Sequence, residues 1–165
     1  MEVLEGRPSG AGRRVAVCVS RFNEEITGRL LDGALAALRG AGVADGAVTV
    51  VRVPGAFELP FAAQAAIDAS LEDPRGPLSA VVALGAVIRG ETDHYDYVCE
   101  AAREGCLRVS LDTGVPVLFG VLTCDTDEQA EARSGGAHGN KGADVALDAL
   151  RMADLAERLR GSDAR

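Results

Sequence analysis

The sequence predicts an α/β fold, a three-layer α/β/α sandwich around a four-stranded parallel sheet. Three observations carry this expectation. Apolar runs of strand length alternate four times with longer stretches whose apolar residues recur at helical spacing. The run Ser79–Ile88, "SAVVALGAVI", is almost continuously apolar, as a strand covered on both faces is. Each run ends in polar or glycine-containing punctuation, where right-handed crossovers leave the loops of a parallel sheet.

Residues 1–12, rich in Gly, Pro and Ser, read as a flexible N-terminal arm, and residues 13–165 as a single domain. The first strand is "RRVAVCVS", Arg13–Ser20. A helix follows in "NEEITGRLLDGALAALRGAG", with Ile26, Leu30, Ala34 and Leu38 on one face and Gly40 and Gly42 as stop signals. Ala47–Val53 is the second strand, broken by Pro54-Gly55. Phe57–Ser70 is the second helix, and Pro60 is tolerated there because it lies near the start. "DPRGP" is a turn, Ser79–Ile88 the third strand, and a third helix runs from about Thr92 to Leu111. Val115–Thr123 is the fourth strand. "DTDEQAEARSGG" reads as a short helix entering a glycine-rich loop, and the last helix runs from Lys141 to about Arg160. There is no internal repeat and no second core.

A chain of 165 residues, 47% hydrophobic, is long enough to bury a core and too apolar for disorder. A net charge of −8 argues against nucleic acid or an anionic membrane as partner, so an anionic substrate would need a local basic site. No apolar run approaches the roughly 18 residues of a membrane span. The first residues lack the apolar core of a signal peptide. The four cysteines form no CxxC pair and three sit in apolar patterns, which fits a reduced, cytoplasmic protein with buried thiols.

In a doubly wound sheet, ligands sit beyond the carboxyl ends of the strands. Four loops follow the four strands: Ser20 to Asn23, Pro54 to Glu58, "RGETDH" from Arg89 to His94, and a fourth near Phe119 to Cys124 with Arg133 and Lys141 further on. Gly90 permits close approach of the backbone to a ligand, and N–H groups at Glu91 and Thr92 before a helix suit an anion such as phosphate. Thr92 or Asp93 acting simply as a helix cap explains the same residues, and both readings can hold together. His94 has the chemistry of a general acid/base near neutral pH, and alternatively that of a solvated structural residue. Phe22 could stack on a flat heterocycle or pack in the core. Glu58 could accept hydrogen bonds from ligand hydroxyl or ring N–H groups, beside the backbone of Ala56 and Phe57, or match the helix dipole. Arg133 suits a phosphate or a helix C-terminus.

Other chemistries are excluded. Asn140-Lys141-Gly142 stands where a P-loop needs Gly-Lys-Ser/Thr, and no strand precedes it. No His, Cys and carboxylate spacing resembles a metal site, and GxSxG is absent.

The stretches "SRFNEEIT", "VPGAFELP", "ALGAVIRGETDHYDYVCEAA", "GVPVLFGVLT", "EQAEARSG" and "GNKGADVALDAL" span Ser20 to Leu150. In this order they resemble the 6,7-dimethyl-8-ribityllumazine synthase family of riboflavin biosynthesis. The resemblance implies a flavodoxin-like sandwich. It also implies a transferase that condenses 5-amino-6-(D-ribitylamino)uracil with 3,4-dihydroxy-2-butanone 4-phosphate, releasing phosphate and water. No cofactor and no metal is implied. Phe22, Asn23, Ala56, Phe57, Glu58, Ala86, Val87, Ile88 and Phe119 would form the pyrimidine and ribityl site, with Phe119 supplied by a neighbouring subunit. Glu91, Thr92, Arg133 and Lys141 would hold the phosphate, and His94 would move protons. The implied partners are the small-molecule substrates and further copies of the chain. Members form pentamers, many of which assemble into an icosahedral capsid of 60 subunits, and the missing insertion between Arg133 and Lys141 favours the capsid. The arm segment "VLEG" would add a strand to a neighbour's sheet, ended by Pro8. The rivals are a non-catalytic flavin- or lumazine-binding or shell-forming relative, and an archaeal-type riboflavin synthase. His94, Arg133, Phe22 and Glu58 together speak against the first, and "GETDH" and "GNKG" against the second.

Overall fold

The computed structural model describes residues 1–162; the last three residues of the expected domain, 163–165, lie outside the described residues. Strands β1 (Val15–Ser20), β2 (Val48–Val53), β3 (Ala80–Ile88) and β4 (Val117–Cys124) form one parallel sheet in the order β2-β1-β3-β4. Helices α1 (Glu24–Gly40) and α5 (Lys141–Ser162) cover one face, and α2 (Leu59–Ser70) and α3 (His94–Thr113) the other. This is the three-layer sandwich that the alternating pattern predicts, flavodoxin-like as the resemblance implies.

The period of two along a strand divides the core between the layers. Val15, Val17 and Val19 of β1 pack with Leu30, Leu38 and Leu150, whereas Ala16 and Cys18 pack with Leu59, Ile67 and Cys106. Every residue of β1 is buried, which explains its unbroken apolar run. Fully burying a leucine contributes about 2 kcal/mol, so Leu30, Leu38, Leu84 and Leu150 anchor the α1–α5 side. The core is wholly aliphatic: of four phenylalanines and two tyrosines, none is buried. Cys18, Cys106 and Cys124 are buried and Cys99 is half-buried; all four are free thiols. Burial pushes the Cys18 thiol up to about 12 and that of Cys106 to about 11, so both stay protonated.

Several boundaries differ from expectation, each for a physical reason. Arg13 and Arg14 precede β1 rather than starting it, because both are committed to ion pairs. Arg13 reaches Glu157 at 2.7 Å and Asp154 at 3.2 Å on α5. Arg14 reaches Asp73 at 2.9 Å in the turn after α2, and the same carboxylate meets Arg75 at 2.7 Å. The second helix opens with a 3-10 turn, Ala56–Glu58, and α2 proper begins at Leu59, so Pro60 falls in its first turn. Helix α3 starts at His94, two residues later than expected, and ends at Thr113 with Gly114 in the left-handed conformation. The glycine-rich loop after α4 (Asp127–Arg133) is a small antiparallel hairpin of β5 (Ser134–Gly136) and β6 (Gly139–Asn140). The arm forms no helix or strand, yet it is partly fixed: the Arg7 N–H donates to Asp154 at 2.9 Å and the Gly10 N–H to Ala41 O at 2.9 Å. Among the described residues no helix is long and apolar enough to cross a membrane.

Candidate functional site

The first three strand-end loops meet over the α2–α3 side of the sheet. The Arg21 N–H donates to Val53 O at 2.8 Å and the Phe22 N–H to Pro54 O at 3.0 Å, which knits the first loop to the second. Asn23 is left-handed (φ 57, ψ 49), the one non-glycine residue of positive φ among the described residues. Asparagine tolerates that conformation best among side-chain-bearing residues. Its Nδ2 donates to Ala86 O at 2.9 Å, tying the loop to β3. The turn leaves Phe22 70% exposed, so the core-packing alternative for this ring is excluded. Glu58 Oε2 accepts the Gly55 N–H at 2.8 Å and closes the second loop on itself.

These loops enclose a cavity of about 660 Å³. Of the residues singled out in the sequence, Phe22, Ala56, Phe57, Glu58, Ala86, Val87, Ile88, Thr92 and His94 line it. Its walls are mostly apolar, with the Glu58 carboxylate, the His94 imidazole and the Thr92 and Tyr95 hydroxyls as polar side chains. Tyr95 and Val98 also line it and were not anticipated. A helical reading from His94 could have found Val98, four residues on, on the same face.

A second cleft, about 500 Å³, opens at the end of β4. Arg133 and Lys141 line it together with Thr123, Cys124, His138 and Asp144. A guanidinium, an amine and an imidazole therefore face a single carboxylate, in a chain of net charge −8. Arg133 also donates from Nη1 to Gln129 O at 3.0 Å, as a cation in the last turn of α4, so the capping alternative is satisfied at the same time. Burial pushes the Cys124 thiol up, against the pull of Arg133, and it stays protonated. His138 is exposed on the β5–β6 turn, and its N–H donates to Ala132 O at 2.8 Å.

The hairpin is held from outside. Asn140 donates from Nδ2 to Arg29 O at 2.8 Å on α1, and its Oδ1 accepts the Ala143 N–H at 3.2 Å. Gly142 lies so close to the Leu30 carbonyl that a Cβ there would overlap it. The "GNKG" stretch thus locks α1, the hairpin and α5 together, and Lys141 between them.

Three singled-out residues line neither space. Asn23 spends its amide on Ala86. Glu91 is exposed, and the N–H groups of Glu91 and Thr92 make no bond to the described residues. They precede α3, whose N-cap is Asp93 and makes no side-chain cap bond, so neither proposed side-chain cap is formed. Phe119 lies not in the loop after β4 but within the strand, as the reading of Val115–Thr123 implies, opposite Ala83 and half-buried against the α2–α3 layer. Among the described residues no cluster of His, Cys, Asp and Glu could hold a metal ion.

The arrangement can take a flat heterocycle between aromatic rings in the first cavity and an anion in the second cleft. Residues 12–157 match the family model described as 6,7-dimethyl-8-ribityllumazine synthase. The protein of that name from Gemmatimonas aurantiaca is 51% identical over 158 residues, 96% of this chain and 93% of its own length. That of Desulfatibacillum aliphaticivorans is 48% identical over 158 residues, 96% of this chain and 98% of its own. That of Desulfotalea psychrophila is 50% identical over 156 residues, 94% of this chain and 97% of its own.

Proposed function

The chain belongs to the 6,7-dimethyl-8-ribityllumazine synthase family, and from that premise we propose how its residues carry out the reaction. The chain is an enzyme, a transferase of riboflavin biosynthesis. It condenses 5-amino-6-(D-ribitylamino)uracil with 3,4-dihydroxy-2-butanone 4-phosphate, releasing phosphate and water. The observation that carries this is near-full-length identity of about half the residues with relatives of that name.

In our reading Phe22 stacks on the pyrimidine. Ala56, Phe57 and Glu58 meet its polar edge and the ribityl chain, with Asn23 bracing the loop. Ala86, Val87 and Ile88 form the floor through their backbone. The N–H groups of Glu91 and Thr92 receive the phosphate, with Arg133 and Lys141 as its counter-charges. His94 moves protons as the amine attacks the ketone, the carbinolamine loses water to give the imine, phosphate is eliminated, and the ring closes with loss of a second water. No cofactor is called for. Positioning both substrates supplies most of the acceleration, since effective molarities reach about 10⁵ M or more.

Arg133 and Lys141 occupy a different cleft from His94 on the same chain. A homo-oligomer that seats one subunit's second cleft against the next subunit's first cavity brings the counter-charges to Thr92. We therefore propose a pentamer, or the 60-subunit capsid built from it, with Phe119 contributed across the interface. Residues 1–12 serve as the arm, with "VLEG" pairing on a neighbour, and residues 13–165 as the catalytic domain, in the cytoplasm. Sedimentation should give a mass at least five times that of the 17.0 kDa chain; a monomer at assay concentration sinks this assembly.

The direct test mixes the purified protein with both substrates and follows lumazine absorbance, with Arg133→Ala in parallel. Loss of charge-assisted hydrogen bonds worth about 1.5–3 kcal/mol should raise KM for the butanone phosphate roughly tenfold to a hundredfold, leaving pyrimidine binding nearly unchanged. No turnover by folded wild type overturns the reaction, and equal damage to both substrates overturns the phosphate assignment.

A further inference from the structure

His94 lies at the least anchored point of its helix. Its N-cap residue Asp93 makes no side-chain cap bond, and Gly90 to Asp93 before it are exposed. The imidazole itself makes no hydrogen bond or ion pair to the described residues. Where it points therefore depends on what holds the first turn of α3 in place.

One side chain does so. Arg89 directly follows β3, and its N–H donates to Cys124 O at the end of β4, 2.9 Å away. Its Nε reaches Asp125 Oδ1 at 3.1 Å, just past β4, and its Nη2 reaches Asp96 Oδ1 at 3.4 Å, in the first turn of α3. Its guanidinium carbon lies 4.0 Å from the centroid of the Tyr95 ring. Tyr95 is the neighbour of His94 and lines the first cavity, half-buried beside Cys99 and Thr123. Thr123 lines the second cleft. One cation thus grips two consecutive residues after His94 and ties them to the strand end that leads into α4 and Arg133.

We infer that Arg89 is a positioning residue for His94, clamping the imidazole-bearing turn through Tyr95 and Asp96 to the end of β4. The inference rests on the assignment of His94 as the proton-transfer group. The chemistry requires arginine: a flat cation can stack on a ring while its edge donates to two separate carboxylates, and the point charge of lysine cannot do all three. The clamp contributes little to stability, because Arg89 is 44% exposed and its partners Asp96 and Asp125 more so. Its effect lies in geometry, and small misplacements of a reacting group are costly to rate.

The test is a double-mutant cycle on the assembled enzyme. Arg89→Gln should lower kcat roughly tenfold, leave both KM values within about twofold and barely move the thermal melt; Arg89→Lys should recover part of the loss. In a His94→Ala background, Arg89→Gln should cost nothing further, since there is no imidazole left to place. An equal loss in both backgrounds, or an unchanged kcat in the single variant, overturns the inference. A His94→Ala enzyme with wild-type kcat overturns the assignment of His94 and this inference with it, a result separate from either. Should Arg89→Gln fail to fold, Asp125→Asn removes one anchor of the same clamp and enters the same cycle.

Discussion

On the proposed assignment, His94 carries one part of the reaction rather than all of it. General acid/base catalysis contributes roughly 10²–10⁴-fold, and the substrates themselves carry an amine, a ketone and a leaving group. His94→Ala should therefore reduce kcat by about that factor while substrate positioning keeps turnover measurable above the uncatalysed reaction. Single-turnover assays of the folded variant decide it: complete loss would mean that His94 also holds a substrate. At this scale the sequence was most informative where residue chemistry and strand-end position coincided, as at Phe22, Glu58 and His94. It was least informative where a side chain is used by a distant backbone. Asn23 bonds Ala86, 63 positions away. Phe119, counted with the fourth loop, lies inside the strand read over Val115–Thr123, since β4 runs to Cys124.

Elements were legible where periodicity is local. All four sheet strands and the helices between them followed from apolar spacing, because each buries a continuous face or stripe. The β5–β6 hairpin was not, because the bonds that fix it come from α1, 111 residues before Asn140. Nor was the start of α3, where an Arg89 clamp stands in for a cap. The hairpin's dependence on α1 can be tested at Gly142. A Cβ there overlaps the Leu30 carbonyl, which as helix backbone cannot move away alone. Gly142→Ala should destabilise the fold by about 1–3 kcal/mol and, on the proposed phosphate role of Lys141, raise KM for the phosphate substrate, because Lys141 moves with the backbone. Chemical denaturation with a parallel KM measurement checks both, and a neutral substitution would show that α1 and α5 are not locked at this point.

Over the whole molecule, the sheet separates two aliphatic cores, and ion pairs at its amino-terminal edge fasten the strands to the surrounding layers. Asp73 is the centre of one such group. Hydrogen bonds from Arg75, and the charge of Arg14, hold its carboxyl well below the usual carboxylate range. The folded value is lower than the unfolded one, so the fold favours the ionised form. That contribution is complete above the unfolded value of about 3.9 and is lost as pH falls toward the folded value. Asp73→Asn should thus lower the melting temperature at neutral pH, and the gap to wild type should narrow as pH drops below about 4. Melts across that range test it; a constant gap would mean that packing, not ionisation, is what Asp73 supplies.

The absence of any buried aromatic ring has an optical consequence. The chain has no tryptophan, and all its rings lie at or near the surface, Phe22, Phe57 and Tyr95 around the first cavity. Near-ultraviolet dichroism and tyrosine emission would then follow events at that cavity, such as a heterocycle entering or a neighbouring subunit closing over it. The melting of the aliphatic interior would pass almost unseen by those signals and would have to be followed through the backbone, by far-ultraviolet dichroism or amide exchange.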